Sequence, residues 1–192
     1  MRIPEWDYKI LRKSIKDGMF AGLRTHSPIG WAIRLWTKGK GIDINGELIE
    51  LNHVGIFKWI RNELFLIEAD DGEVRISRFS YKYSFRKYKG DIFLIDPCYE
   101  NEDERIETID RLLQCVDKGY HFMGILQQMV GAEEIKNEGR KFYCSALLNY
   151  GLKFKLTGGR PLHIKPQTVL DTLLKMYPKF KPLKCKIKYI GM

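Results

Sequence analysis

The clearest β-hairpin pattern of the chain constrains its fold most strongly. Residues 47–60 and 63–70 are two runs rich in β-branched and aromatic residues, and only Arg61-Asn62 separates them. Asp71-Gly72, a strong turn dipeptide, then leads to a third predicted strand at residues 73–77. The chain is therefore expected to build an antiparallel sheet. Helical patterns elsewhere in the sequence place it in the α+β class.

The two-residue turn predicts which residues face each other across the hairpin. It pairs Ile60 with Glu63. Counting back from that pair, His53 faces Asp70. Because alternate residues of a strand share one face, Glu68 lies on the same side, diagonal to His53. A carboxylate beside an imidazole fixes its tautomer and supports its protonated form. A register shift of one residue would place these groups on opposite faces.

A cysteine stands at the start of a second predicted element. Residues 144–151 have apolar positions at helical spacing, and they predict a short helix that opens on Cys144 and ends at Gly151. A thiol at a helix N-terminus lies at the positive end of the backbone dipole, which favours thiolate over thiol. The pattern is thus compatible with a nucleophile. It is also compatible with a buried structural cysteine, since free cysteines are among the most buried residues.

The remaining patterns complete an α+β chain that is most simply one domain over residues 1–192. The helix predicted at residues 27–36 carries Trp31 and Trp36; contact with a membrane is compatible with it, but packing against the domain is favoured. Further strands are predicted at residues 18–23, 91–96 and 183–189, and further helices at residues 101–118, at residues 122–129 and from Pro166 onward.

Composition narrows the classes of partner and compartment. The net charge of +9 favours acidic partners such as anionic lipid headgroups, although the basic residues are scattered as on an ordinary solvated surface. The four cysteines are far apart, which excludes a zinc ribbon and makes a disulfide framework unexpected at this length. We therefore expect reduced thiols and a cytoplasmic protein. No secretory signal is visible, and no apolar run approaches the roughly 18 residues of a membrane span.

A basic and aromatic segment at residues 78–90 offers an alternative function. Interleaved Arg, Lys, Tyr and Phe side chains can stack on bases and contact phosphates. A twisted strand or a loop at the edge of the sheet is the commoner source of this pattern. We therefore do not expect nucleic acid to be the partner.

The three candidate site residues fit one chemistry. A thiol is activated by an imidazole within hydrogen-bonding reach, and the imidazole is oriented by a third polar group. Cys144, His53 and Glu68 could supply these parts, and the backbone N–H of Cys144 would be a natural donor to an oxyanion. Such a set transfers acyl groups through a thioester, without a cofactor or metal.

Residues 52–56, 66–74 and 142–148 resemble the circularly permuted NlpC-type papain-like cysteine hydrolases. In that group, which includes lecithin–retinol acyltransferase-like enzymes and bacterial and viral amidase- or lipase-like proteins, the histidine strand precedes the cysteine helix. The resemblance runs from about residue 18 to residue 151. It implies a papain-like antiparallel sheet packed against helices, with Cys144 as nucleophile, His53 as general base and then acid, and Glu68 as the orienting carboxylate.

The function expected from these features is hydrolysis or transfer at an amide or ester bond. Candidate substrates are cell-wall peptide amides and acyl chains of lipids. Two positions depart from the pattern of the group: Ala146 stands where an acidic residue is usual, and His121 replaces the acid of a Tyr-Asp-Phe element. The alternatives are a catalytically inactive papain-like binding module and the nucleic-acid-binding protein considered above.

Overall fold

The computed structural model describes residues 5–7, 12–26, 42–44, 47–70, 72–83, 90–97, 99–120, 141–159, 164–176 and 183–188. Its strands are β1 (Glu5–Asp7), β2 (Phe20–Thr25), β3 (Ile42–Ile44), β4 (Glu47–Ile49), β5 (His53–Ile60), β6 (Glu63–Asp70), β7 (Glu73–Arg78), β8 (Gly90–Ile95), β9 (Gly119–Tyr120), β10 (Lys141–Phe142) and β11 (Leu183–Lys188). Its α-helices are α1 (Phe79–Lys82), α2 (Glu102–Leu113), α3 (Cys144–Gly151) and α4 (Pro166–Met176).

Most of the described strands belong to one sheet, in the order β1-β11-β8-β2-β5-β6-β7-β9-β10. Its interior from β11 to β7 is antiparallel, and the outer pairs β1–β11 and β9–β10 are parallel. Strands β3 and β4 form a separate two-stranded ladder. An antiparallel sheet with accompanying helices is the predicted α+β class.

The predicted hairpin register is confirmed. Ile60 pairs with Glu63, and the ladder between β5 and β6 continues back from that pair. Arg61 and Asn62 both have positive φ, 48° and 64°, as the two central residues of a type I′ turn do. This turn twists in the same sense as the strands it joins, so a local feature sets the register.

The predicted strand at residues 47–60 is instead divided into β4 and β5. Leu51 N donates to the side chain of Gln167 at 2.9 Å, and Asn52 N donates to Leu23 O at 3.0 Å. These bonds take the backbone of residues 51 and 52 out of a continuous β5 ladder. As a result of this interruption, His53 is the first residue of β5.

Each face of the sheet is covered by its own apolar cluster. Val54 and Ile67 belong to a cluster that also includes residues of α2, α3 and α4, such as Leu147. Phe57 and Leu66 belong to a second cluster. Because side chains alternate across a strand, even-numbered residues of β6 such as Glu68 lie on the side of the second cluster. The sheet is thus buried on both sides around the site.

Other predicted elements differ in their ends. Helix α2 begins where predicted, with Asn101 as N-cap accepting from Glu104 N at 2.8 Å. It ends at Leu113, earlier than predicted, and Asp117 then turns the chain with φ of 67°. The described first part of the basic and aromatic segment, residues 78–83, forms the end of β7, helix α1 and its C-cap, and not only a strand or loop.

Several predictions fall outside the described residues, namely the helices at residues 27–36 and 122–129 and the departure at His121. Among the helices that are described, none combines the length and apolar character needed to cross a membrane.

Candidate active site

Cys144 is the first residue of α3, as its sequence context predicts. The preceding Tyr143 is the N-cap in an extended conformation, and its carbonyl accepts the first helical hydrogen bond from Leu147 N at 2.9 Å. Two contacts with Ile164 fix this entry. The Tyr143 hydroxyl accepts from Ile164 N at 3.1 Å, and the Ser145 hydroxyl donates to Ile164 O. Cys144 is only 5% exposed, and its position is set by the start of α3.

His53 begins β5 beside the end of β2, where it pairs with Leu23. The preceding Asn52 ties these strand ends together. Its side-chain oxygen accepts from Thr25 N at 3.0 Å, and its side-chain nitrogen donates to Thr25 O at 3.1 Å. The backbone that carries His53 is therefore fixed on the side of β2 as well as by the hairpin.

The imidazole of His53 connects Glu68 with Cys144. Its Nε2 lies 2.8 Å from Glu68 Oε2, and the ring lies close enough to Cys144 for that group to raise the pKa of the imidazole. Since Nε2 is taken by the carboxylate, Nδ1 is the nitrogen left for the sulfur. Glu68 belongs to the face of the second apolar cluster, whereas Cys144 belongs to the first. The ring of His53, at the start of β5, thus lies between groups from both sides of the sheet.

Glu68 is completely buried and remains charged because three side chains donate to it. Lys82 Nζ lies 2.7 Å from Oε1, while Oε2 accepts from the Tyr83 hydroxyl and from His53. Burial by itself raises the pKa of this carboxyl. The hydrogen bond and charge of His53, followed by the charge of Lys82, outweigh burial and lower the pKa of Glu68.

The surroundings of His53 favour its protonated form. Burial opposes the charged ring, but the negative charge and hydrogen bond of Cys144, with those of Glu68, raise the pKa of His53 to about 10. At neutral pH the ring can therefore donate through both nitrogens, to the carboxylate and to the sulfur. A protonated imidazole beside a cysteine is the arrangement from which a reactive thiolate can form.

Asp70 shares the face of Glu68 and also one of its partners, Lys82. It accepts from Arg75 at 2.9 Å and from Lys82 at 2.5 Å. Burial disfavours its charge, but the charges of His53, Lys82 and Arg75 lower the pKa of Asp70 to about 2. The structure therefore brings Cys144, His53 and Glu68 together, and it places Asp70 next to this set without a direct hydrogen bond to the ring among the contacts described.

Sequence reasoning missed Lys82 and Tyr83. Both belong to the basic and aromatic segment, for which the sequence favours a twisted strand or a loop at the edge of the sheet over a nucleic-acid surface. A four-residue helix such as α1 is too short to produce a helical periodicity. The sequence does contain one signal for Lys82. Glu68 and Asp70 are predicted on the same face of β6, and two buried carboxylates require a nearby cation.

Comparisons with known proteins find a solved structure of similar fold, and they do not support the family predicted from the sequence. No protein-family model and no curated protein matches the chain. A solved structure that is similar is described as the metalloprotein yiiX from Escherichia coli O157:H7, DUF1105, with a TM-score of 0.59 and 14% sequence identity. The alignment covers 90% of this chain and 98% of that chain. At this identity the likeness is one of fold alone.

The resemblance to circularly permuted NlpC-type hydrolases was wrong as a family assignment. Its matching segments are five to nine residues long, and each has a local structural cause. Gly55, for example, is required because a Cβ there would lie 2.8 Å from Leu66 Cγ. A cysteine and a serine at the start of a helix, or a histidine at the start of a strand, likewise occur in unrelated proteins for local structural reasons. Such short matches do not define a family.

The similar structure is that of a metalloprotein, but the residues described here do not form a comparable metal site. Within the described part of the chain, no group of three or more His, Cys, Asp or Glu side chains could hold a metal ion. The residues around Cys144 do not fit a metal centre, because His53 and Glu68 are engaged with each other and Glu68 is further held by Lys82 and Tyr83. We derive no step through a metal.

Proposed function

We propose that this protein is a cysteine hydrolase or acyltransferase that cleaves an amide or ester bond through a thioester on Cys144. The supporting observation is the imidazole of His53, which is hydrogen-bonded to the buried Glu68 and lies near enough to Cys144 to be influenced by it. A papain-like layout, in which a cysteine helix packs against the sheet that carries the histidine, is part of the same proposal.

The chemistry begins with the thiolate of Cys144, which attacks the carbonyl carbon of the substrate. Negative charge moves to the carbonyl oxygen, where the backbone N–H of Cys144 is a natural donor. As the bond to the amine or alkoxide breaks, His53 gives its Nδ1 proton to this leaving group, and a thioester remains on Cys144. Neutral His53 then takes a proton from water or from an acceptor alcohol or amine, which attacks the thioester. This step releases the acyl product and restores the thiolate and imidazolium.

Glu68 keeps one charge throughout this cycle. Its hydrogen bond to Nε2 holds the ring so that Nδ1 faces the sulfur, and its negative charge stabilises the imidazolium at the beginning and end of turnover. The substrate class follows from less specific features. The net charge of +9 favours an anionic substrate, which is compatible with lipid acyl groups or with acidic peptides.

Nucleic-acid binding is not favoured as a second function. Arg78 and Lys82, two cations of the basic and aromatic segment, are paired with Glu63 and with Glu68 and Asp70. Charges already paired with carboxylates have less to gain from phosphates.

Alkylation of Cys144 tests the proposed function without a known substrate. At about pH 6 an ordinary thiol, with a pKa near 8.5, is almost entirely protonated, and limiting iodoacetamide should therefore label Cys144 before the other cysteines. His53→Asn should slow the labelling of Cys144 by about 100-fold. His26→Asn changes an exposed histidine near the end of β2 and is the matched control, with no expected loss.

Acyl transfer itself needs a second measurement. Incubation with p-nitrophenyl esters of short and long acyl chains, and with peptide p-nitroanilides, should produce an acyl adduct on Cys144 that mass spectrometry locates. Equal labelling of all four cysteines, or slow labelling of Cys144 that His53→Asn leaves unchanged, would contradict the enzyme and favour an inactive binding module. The preferred probe then identifies the leaving group and acyl class.

A further inference from the structure

Helix α1 brings two side chains to the carboxylate of Glu68. It follows β7 directly and turns the chain back onto the sheet, in contact with β6 and β7. Lys82, its last residue, reaches Oε1 of Glu68, and Tyr83, its C-cap, reaches Oε2. Oε2 is also the oxygen that faces His53. One short element therefore holds both oxygens of the group that orients the imidazole.

Aromatic packing fixes the position of this short helix. Phe79 is fully buried, and its ring meets that of Phe57 edge to face at a centroid distance of 5.1 Å. The ring of Tyr83 stacks on Phe79 at 5.3 Å. Edge-to-face and offset pairs at these distances are the favoured aromatic geometries. The hydroxyl of Tyr83 is thus aimed at Glu68 by the apolar cluster below it.

Lys82 solves an electrostatic problem created by β6. Glu68 and Asp70 lie on one face of the same strand, two residues apart, and like charges that close disfavour each other. Lys82 Nζ lies between them, 2.7 Å from one carboxylate and 2.5 Å from the other. With Arg75 on Asp70 and His53 on Glu68, three cationic side chains face these two carboxylates.

We propose that Lys82 and Tyr83 are positioning residues for the carboxylate that orients His53: Lys82 bridges Glu68 and Asp70, and Tyr83 fixes the oxygen of Glu68 that faces His53. This inference rests on the proposed function of Cys144. Among the contacts described, both side chains bond to the carboxylate of Glu68. Both act through Glu68 on the protonation and orientation of the imidazole.

A specific consequence follows for the pH dependence of thiol reactivity. Without Lys82, the two carboxylates lose the cation they share, and one of them takes up a proton at higher pH than before. A protonated Glu68 no longer supports the imidazolium, so the thiolate–imidazolium pair forms only at higher pH. The acid limb of the reactivity profile should therefore move upward.

The experiment is a pH profile of Cys144 alkylation by iodoacetamide, with rates measured by peptide mapping. For Lys82→Met we expect the midpoint of the acid limb to rise by about one pH unit, which slows labelling about tenfold below the midpoint. Lys82→Arg keeps the positive charge and should recover most of the wild-type profile. Lys58→Met is the matched control, because Lys58 is also partly buried and bonded to a carboxylate, Asp17, at 2.6 Å.

The outcomes separate this inference from the proposed function. If wild-type Cys144 is not reactive near pH 6, the proposed function fails. If the wild type is reactive but Lys82→Met has the same profile, or Lys58→Met shifts it equally, the positioning role is overturned and the proposed function stands. Circular dichroism and urea unfolding report whether each variant folds. Should Lys82→Met not fold, Tyr83→Phe removes one hydrogen bond without changing charge, and an unchanged profile for that variant would overturn the role of Tyr83.

Discussion

At the scale of single residues, the site depends on charges placed where water is scarce. Glu68 is fully buried, and the loss of one partner from a buried ion pair typically costs about 3–5 kcal/mol. His53, Lys82 and Tyr83 together make this burial tolerable, since each donates a hydrogen bond to one of its two oxygens. The residues of the site are consequently coupled, and substitutions among them are not expected to be additive.

Asp70 gives a prediction for stability in acid. Its pKa falls from 3.8 to about 2 on folding, so its charge stabilises the folded protein above pH 3.8, and this contribution disappears as the pH falls from 3.8 towards 2. The difference in unfolding free energy between the wild type and Asp70→Asn should be constant at neutral pH and shrink within that window. Urea unfolding at a series of pH values measures it.

The control for this prediction is Asp110→Asn, which removes an exposed carboxylate from α2. The absence of any shrinkage for Asp70→Asn between pH 3.8 and pH 2 would contradict the paired role of Asp70.

At the scale of elements, the close approach of β5 and β6 positions His53. A Cβ on Gly55 would lie 2.8 Å from Leu66 Cγ and 3.1 Å from Ile67 O, and backbone atoms cannot move aside cheaply. Gly55→Ala should therefore separate the strands, with a loss of about 1–3 kcal/mol in unfolding free energy and slower alkylation of Cys144.

Ile56→Val separates the two effects of that substitution. It removes one methyl group from the opposite face of β5 and should cost about 0.5–1.5 kcal/mol without altering the spacing of the strands. Its rate of Cys144 alkylation should therefore match the wild type. Equal rates in both variants would show that the β5–β6 spacing does not control the site.

Features with a local cause could be predicted from the sequence, whereas features that depend on distant contacts could not. The register of β5 and β6 follows from the adjacent Arg61-Asn62 turn, and the start of α3 follows from residues next to Cys144. The break before His53 was not predictable, because Leu51 is held by Gln167, far along the chain. Helix α1 was missed for a different reason, since packing of Phe79 and not periodicity creates it.

At the scale of the whole molecule, β8 lies inside the sheet only because β11 covers it. Leu183 pairs with Leu94 and Cys185 with Ile92, and residues 91–95 are all buried. A chain that ends at residue 182 should expose β8 as an apolar edge with unpaired backbone groups, which is a template for association. We expect a lower melting temperature and larger particles by light scattering.

A chain that ends at residue 188 is the matched control, because it keeps β11 whole. If the shorter chain remains as monodisperse and as stable as this control, β11 is not what protects the edge of β8.

The sequence positions of the site residues also predict the order in which they come together during folding. His53 and Glu68 are 15 residues apart, and Lys82 follows Glu68 by 14, whereas Cys144 comes from a helix formed much later in the sequence. Hairpins close within microseconds, and contacts between distant segments form more slowly. The imidazole and its carboxylate should thus meet before the thiol reaches them. During synthesis Cys144 would behave as an ordinary, slowly oxidised cysteine, and it would gain its reactivity only in the finished protein.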